Sequence, residues 1–373
     1  MGEIRSAGLV YGTQVHHLDH LAALCAFLQI PLVVTEPEVE SLARRYYPQL
    51  ALSYLAYPAL GLDLVDRYEM IFSSLPHDLF KLVVCAAEMI RQKEIFNIWF
   101  PHGHSDKGHL SPFIEGLARE KVVLIYGQRM VDLLKEKGVD AHIRTSIIVG
   151  NLRRLFYQAN KIFYDQLIEK ELSGYLVRGQ PTLLYAPTWE DVEQSCSLFD
   201  HLPSLLNTLP SNWNLIVKPH PNTLQTKEAE LEGLIYPALK KPNLLLLKKF
   251  PPIYPLLNVM SAYLGDMSSI GYDSLAFNKP IFFYNPHQGK QKKDSSPFLF
   301  QYGTEIPPQY HSAPFSFIID HLDSREECQR ARARQALYPY IFGKSISKKR
   351  LRRVIKHEYL RDVQIKKNTL LRN

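Results

Sequence analysis

Cysteine is scarce in this chain: there are four among 373 residues, Cys25, Cys85, Cys196 and Cys328, and no CxxC pair. That pattern excludes a cysteine-built zinc module or dithiol redox centre and reads as reduced, mostly buried thiols of a cytoplasmic protein. No apolar run is long enough to cross a bilayer, and Met1, Gly2 and Glu3 do not open a basic-then-apolar leader. A glycine-rich phosphate loop is missing, and so is HExxH, so phosphate or metal chemistry would have to rest on other patterns. No solenoid-length repeat or low-complexity tract is present. Excess positive charge is missing from most of the chain. The net charge is +7, yet residues 343–373 alone hold eleven Lys/Arg against two acids, which leaves the remainder at about −2.

What is present is a globular composition, 46% hydrophobic and 22% charged, in a chain long enough for two ordinary cores. The basic end suits an anionic lipid surface, a nucleic acid or an anionic polymer, and equally a solvated helix face. Basic residues interleaved with aromatics over a folded face, the mark of a nucleic-acid binder, are not found, so no nucleic-acid partner is expected.

Strand and helix signals alternate along the chain. Strands are predicted at 9–12, 31–35, 69–73, 96–100, 121–126 and 146–150, with helices at 16–29, 37–46, 77–91 and 129–137 between them. A long helix is predicted over 152–172, followed by a linker at 174–180. The alternation restarts with strands at 182–186, 214–217 and 243–247 and helices at 203–209 and 227–239, the first with Pro203 in its opening turn. Residues 288–297 and 307–314 read as loops. Two parallel doubly wound sheets are expected, in domains 1–172 and 173–342, followed by a basic helical tail at 343–373. Ligands of such sheets sit outside the carboxyl ends of the strands.

The most informative stretch is AYLGDMSSIGYDSLAFNKPIFFYNP, residues 262–286, which reads as strand, turn, helix, strand. Ser268 or Ser269 falls at the helix N-cap, where free N–H groups favour an anion such as phosphate; capping alone is the plainer role. Three other strand ends carry polar groups. After 96–100 comes PHGHSDKG: His102 suits a general base, Gly103 allows close backbone approach, and HxHxD is also the opening of a metal motif, with Lys107 standing where a further histidine is needed. After 214–217 comes KPHP, in which two prolines stiffen the loop and Lys218 with His220 can neutralise a phosphate. After 182–186, APTW offers Thr188 to a phosphate or sugar and Trp189 as a wall. His16, His17, Asp19 and His20 form a dense cluster, with His16 and His20 at i, i+4 able to share a metal, or with Asp19 simply favouring a helix start.

Four of these elements, in this order and spacing, resemble the CDP-glycerol glycerophosphotransferase family: His102, Gly103 and Lys107; Ala186 to Trp189; Lys218 to Pro221; and Asp266, Ser268, Ser269, Asp273, Lys279 and Pro280. Met267 stands where the family has Tyr, Glu190 where it commonly has Arg, and residues 104–106 depart from its usual loop. The resemblance implies a GT-B-like fold, two Rossmann-like doubly wound α/β domains facing a cleft, with C-terminal helices and the nucleotide held mostly by the second domain. It implies transfer of a polyol phosphate from a CDP-linked polyol donor to a glycan or lipid-linked acceptor, without a cofactor or required metal. His102 and His220 are the expected catalytic residues, and Lys218, Ser268, Ser269 and Thr188 hold the donor phosphates. Gly103, Lys107, Asp266 and Asp273 are expected at the donor or nearby. The basic tail would keep a cytoplasmic protein on the inner face of the membrane. Two other readings remain open: a glycosyltransferase using a nucleotide-sugar donor, and a non-catalytic nucleotide- or polyanion-binding protein.

Overall fold

A computed structural model describes residues 4–104, 113–285 and 298–370, with side chains to 368. Lys107 and the loop predicted at 288–297 lie outside the described residues. In chain order the elements are β1 (Ser6–Val10), α1 (Val15–Leu28), β2 (Leu32–Val34), α2 (Pro37–Tyr46), β3 (Leu52–Tyr54), α3 (Leu60–Arg67), β4 (Met70–Ser73), α4 (His77–Arg91), β5 (Phe96–Trp99), β6 (Val122–Ile125), α5 (Gln128–Glu136), β7 (Thr145–Ile148) and α6 (Leu152–Ala159). There follow α7 (Lys161–Leu172), β8 (Thr182–Tyr185), α8 (Leu198–Thr208), β9 (Asn214–Val217), α9 (Pro221–Thr226), α10 (Glu228–Ile235), β10 (Leu244–Leu246), α11 (Ile253–Val259), β11 (Ala262–Gly265), α12 (Ser269–Ser274), β12 (Ile281–Phe283) and β13 (Thr304–Glu305). Three helices close the chain: α13 (Pro314–His321), α14 (Arg325–Phe342) and α15 (Lys348–Leu370).

The chain divides into two compact units. The first takes in the chain up to His102, Phe113–Phe156 and everything from Pro339 onward. Its sheet is parallel, in the order β3-β2-β1-β4-β5-β6-β7. The second unit includes Gly103, His104 and Tyr157–Tyr338, with a parallel sheet in the order β10-β9-β8-β11-β12-β13. Both are doubly wound, and the strand order reverses between β1 and β4 in one and between β8 and β11 in the other, the places where such sheets bind ligands. Central strands such as MIFS, VVLI and AYLG are buried along their whole length, as strands covered by helices on both faces must be.

Several elements differ from their sequence reading. The long helix expected over 152–172 breaks at Asn160, whose φ of −117° and ψ of 23° leave the helical range. Asparagine offers the backbone alternatives to the helix, and the break adjoins the unit boundary. α8 starts at Leu198, so Pro203 sits inside it rather than in its opening turn, and buried Leu198, Leu202, Leu205 and Leu206 offset the donor that proline removes. The helix expected at 227–239 is shorter: α10 covers Glu228–Ile235 and a 3-10 turn follows at Tyr236–Ala238, while a separate short helix, α9, precedes it, started by Pro221 and capped by His220. The cysteines were expected mostly buried; Cys25 is, but Cys85 and Cys328 are exposed.

The basic C-terminal segment is part of the first unit. Gly150, at φ +81°, lies so close to Ser345 that a Cβ there would come within 2.5 Å of its Cα, and Ile346 N donates to Val149 O. α15 then buries Leu351 and Ile355, and its two acids turn inward: Arg144 Nε meets Glu358 Oε2 at 3.0 Å and Lys121 Nζ meets Asp362 Oδ1 at 2.9 Å. Lys349, Arg350, Arg353, Lys356 and Arg361 are left exposed, while Arg352 donates to Leu28 O at the end of α1.

Candidate functional site

In the second unit, three neighbouring strands, β9, β8 and β11, carry KPHP, APTW and GDMSS on the loops after their C-terminal ends. Strand-like hydrogen bonds run on into these loops: Ala186 N donates to Leu264 O and Lys218 N to Tyr185 O. Asp266, wholly buried, ties the GDMSS loop to the APTW loop and to Ser197 at the start of α8. Its Oδ1 accepts from Thr188 N at 2.7 Å, and its Oδ2 accepts from Ser197 N and Ser197 Oγ, each at 2.8 Å. Thr188 and Lys218 are themselves buried, and the Trp189 ring lies 6.3 Å from that of His220.

His220 is the N-cap of α9, and its Nδ1 accepts from Asn222 N at 3.1 Å. A nitrogen that accepts there carries no proton, so in the neutral ring Nε2–H is the remaining donor, a form suited to a phosphate oxygen. Ser268 is the N-cap of α12, its Oγ accepting from Ile270 N at 3.4 Å. Ser269 follows as the first helical residue and is less buried. α12 is a turn and a half, so any anion there is held by the N–H groups of its first turn more than by a long helix dipole. Asp273 is buried on the same helix and accepts from Tyr254 OH at 3.2 Å. Glu190, where the family commonly has arginine, is paired with Lys227. Gly103 has φ +138°, a conformation that side chains rarely adopt, and the ring of the next residue, His104, lies tilted against Tyr272 of α12 with centroids 5.0 Å apart.

In the first unit, half-buried His102 follows β5 and meets a histidine pair at the start of α1. The His17 ring centroid is 4.4 Å from that of His102, His16 is 5.3 Å from His102, and His16 is 4.4 Å from His17. Burial pushes His102 down to about 4, and burial together with the neighbouring His102 pushes His16 down to about 3, so both are neutral at pH 7. His20 does not share a site with His16. Its Nδ1 pairs with Tyr126 OH at 2.6 Å, the tyrosine donates to Pro101 O at 2.8 Å, and burial holds this histidine well below its ordinary range. Asp19 was read as a first-turn acid, but α1 begins at Val15; Asp19 is buried, accepts from Tyr47 OH at 2.8 Å and pairs with Arg153 at 3.3 Å. The HH doublet was visible in the sequence, but its neighbour was not, because only the sheet order brings the end of β5 beside the start of α1.

The chain belongs to the CDP-glycerol:poly(glycerophosphate) glycerophosphotransferase family, whose pattern matches residues 155–356, more than half of its length. It is therefore a transferase that moves a polyol phosphate from a CDP-activated donor to a hydroxyl, with release of CMP. The match spans KPHP, APTW and GDMSS; His102 lies before it. Among solved structures the chain is similar to the wall teichoic acid polymerase TagF, with TM-score 0.63 and 12% identity over 96% of this chain and 90% of that one. It is also similar to Staphylococcus aureus MnaA in complex with UDP, with TM-score 0.63 and 13% identity over 96% and 97%. Anabaena HepE, in complex with UDP and glucose, is similar at TM-score 0.56 and 11% identity over 95% and 100%. At such identities the likeness establishes the fold, a GT-B-like pair of doubly wound units. No curated protein matches the sequence.

Proposed function

We propose that the two units divide the reaction: the second holds the CDP-linked polyol and the first activates the acceptor. Lys218, His220, Thr188, Ser268 and Ser269 bind the donor diphosphate. Asp266 positions their loops rather than touching the donor, and Asp273 is placed for the polyol or ribose hydroxyls. His102 takes the proton of the acceptor hydroxyl as its oxygen attacks the β-phosphorus in line. The new O–P bond forms as the bridging P–O bond breaks, and CMP leaves with its charge met by His220 Nε2–H and Lys218. A neutral His102 is ready to accept a proton at pH 7, and the incoming anionic donor strengthens it as a base by favouring its charged form. Gly103 permits the turn after His102, and Lys107 is assigned to the same diphosphate.

The observation that carries this reading is the meeting of KPHP, APTW and GDMSS on three adjacent strand ends astride the switch point of the second sheet. The test is turnover of CDP-glycerol and CDP-ribitol by the purified protein. His102→Ala and His220→Ala should each lower kcat by about 100-fold or more, the scale of a lost acid–base group. Unchanged rates would defeat the assignment, and turnover of a nucleotide sugar instead would favour the glycosyltransferase reading.

The acceptor is a hydroxyl of a glycan or lipid-linked chain, reached by a cytoplasmic protein resting on the inner membrane face. The exposed bases of α15 support this placement. So does an apolar stripe on α4 formed by exposed Leu79, Leu82, Met89 and Ile90, which the pair Lys366–Glu94 (2.6 Å) links to the far end of α15. An anionic bilayer suits both features.

A further inference from the structure

The histidine trio at the start of α1 has more donor capacity than proton transfer requires. One nitrogen from each of His16, His17 and His102 lies within 4.8 Å of the other two. His102 Nδ1 is buried and has no hydrogen-bond partner among the described residues, although a buried ring nitrogen normally has one. Two ligands come from adjacent residues in the first turn of a helix that Asp19, through Arg153 and Tyr47, anchors to the rest of the unit. We propose that His16, His17 and His102 form a binding site for a late first-row divalent cation of the zinc class. Three imidazoles with no carboxylate or thiolate suit zinc, cobalt, nickel or copper and disfavour magnesium and calcium.

Tetrahedral zinc with Zn–N distances of about 2.0–2.1 Å needs its nitrogens about 3.3 Å apart. The rings must therefore draw in from a spread of up to 4.8 Å, a side-chain adjustment of about an ångström each. The fourth position stays open to water or to the oxygen of a bound hydroxyl, as at zinc sites with three protein ligands. The site stands without the assignment of His102 as base. If that assignment holds, ion and proton compete for one imidazole, and zinc suppresses transfer.

The test uses the untagged full chain, stripped of metal with a chelator. Cobalt titration should give about one equivalent of intense visible bands from a four-coordinate, nitrogen-ligated ion, a readout that needs no variant. Zinc competition against a chromogenic chelator should show His16→Gln and His17→Gln each weakening the site by more than the roughly 10- to 100-fold that loss of an outer partner costs. His357→Gln, at an exposed histidine of α15, should bind like the wild type. A cobalt spectrum identical to that of the aqua ion, or zinc held equally by wild type and His17→Gln, would overturn the site. Zinc bound through all three residues with transfer undiminished would keep the site and remove His102 from its role as base.

Discussion

Replacing Asp266 offers the sharpest test of how the donor loops are held. The carboxylate is wholly buried and accepts three hydrogen bonds of 2.7–2.8 Å, two of them from backbone N–H groups of Thr188 and Ser197. In Asp266→Ala both N–H groups lose their acceptor, and each buried orphan costs about 1–3 kcal/mol. The Ser197 hydroxyl suffers less, because Tyr185 OH lies 2.9 Å from it. The expected loss is therefore about 4 kcal/mol. Asp266→Asn keeps the shape and one acceptor but turns an amide NH2 toward one of the donors, so about half that loss is expected. Urea unfolding followed by tryptophan fluorescence reads the effect, since Trp189 and Trp213 both belong to the second unit. A calorimetric titration with CDP-glycerol should show weaker binding in the same order, alanine below asparagine below wild type. An alanine variant within about 1 kcal/mol of wild type, or one equal to the asparagine variant, would refute the reasoning.

Three further outcomes are expected. Burial raises Glu120 to about 8, so its proton stabilises the folded state fully below the ordinary carboxylate range, and that stability is lost as pH rises toward 8, at about 1.4 kcal/mol for each step of one in pH. Glu120→Gln should therefore melt increasingly above wild type between about pH 5 and pH 8 and level off above that, and parallel melting curves would show that Glu120 is not held protonated. Arg144→Ala leaves the buried Glu358 and Asp362 with fewer partners and should cost about 3 kcal/mol and speed proteolysis just before α15; unaltered cleavage would show that α15 is held by other means. Changing Lys349, Arg350, Arg353 and Lys356 together to Gln should weaken binding to anionic vesicles by about 4 kcal/mol, since each base near such a surface contributes about 1 kcal/mol. Equal binding of wild type to neutral vesicles would remove the electrostatic argument.

The placement of most strands was legible because parallel strands covered on both faces must be short apolar runs, as in VVLI at 122–125 and NLIV at 214–217. α4 could be read to the residue, since its amphipathic period begins after Pro76 and ends in a basic turn. Less was legible where tertiary packing overrode local preference. Buried leucines carried α8 through Pro203, and β3, with Leu52 and Ser53 half-buried and Tyr54 exposed, lacks the apolar run that marks a strand.

By themselves, the residues determined the class of the chain: alternating apolar periods require a doubly wound α/β fold, and the polar motifs must fall where strands end because the interiors admit nothing polar. Local chemistry also marked Ser268 or Ser269 as a helix cap and Gly103 as a place of close backbone approach; the structure chose Ser268 and gave Gly103 a positive φ. Only the tertiary structure decided who meets whom. It assigned Asp266 to two backbone donors on other loops and turned the acids of α15 inward so that its bases face out. It also brought His102 to a histidine pair more than eighty residues away in sequence. The physical reason is the order of strands in a parallel sheet: neighbours are set by long crossovers, and no spacing along the chain encodes which strand ends become adjacent.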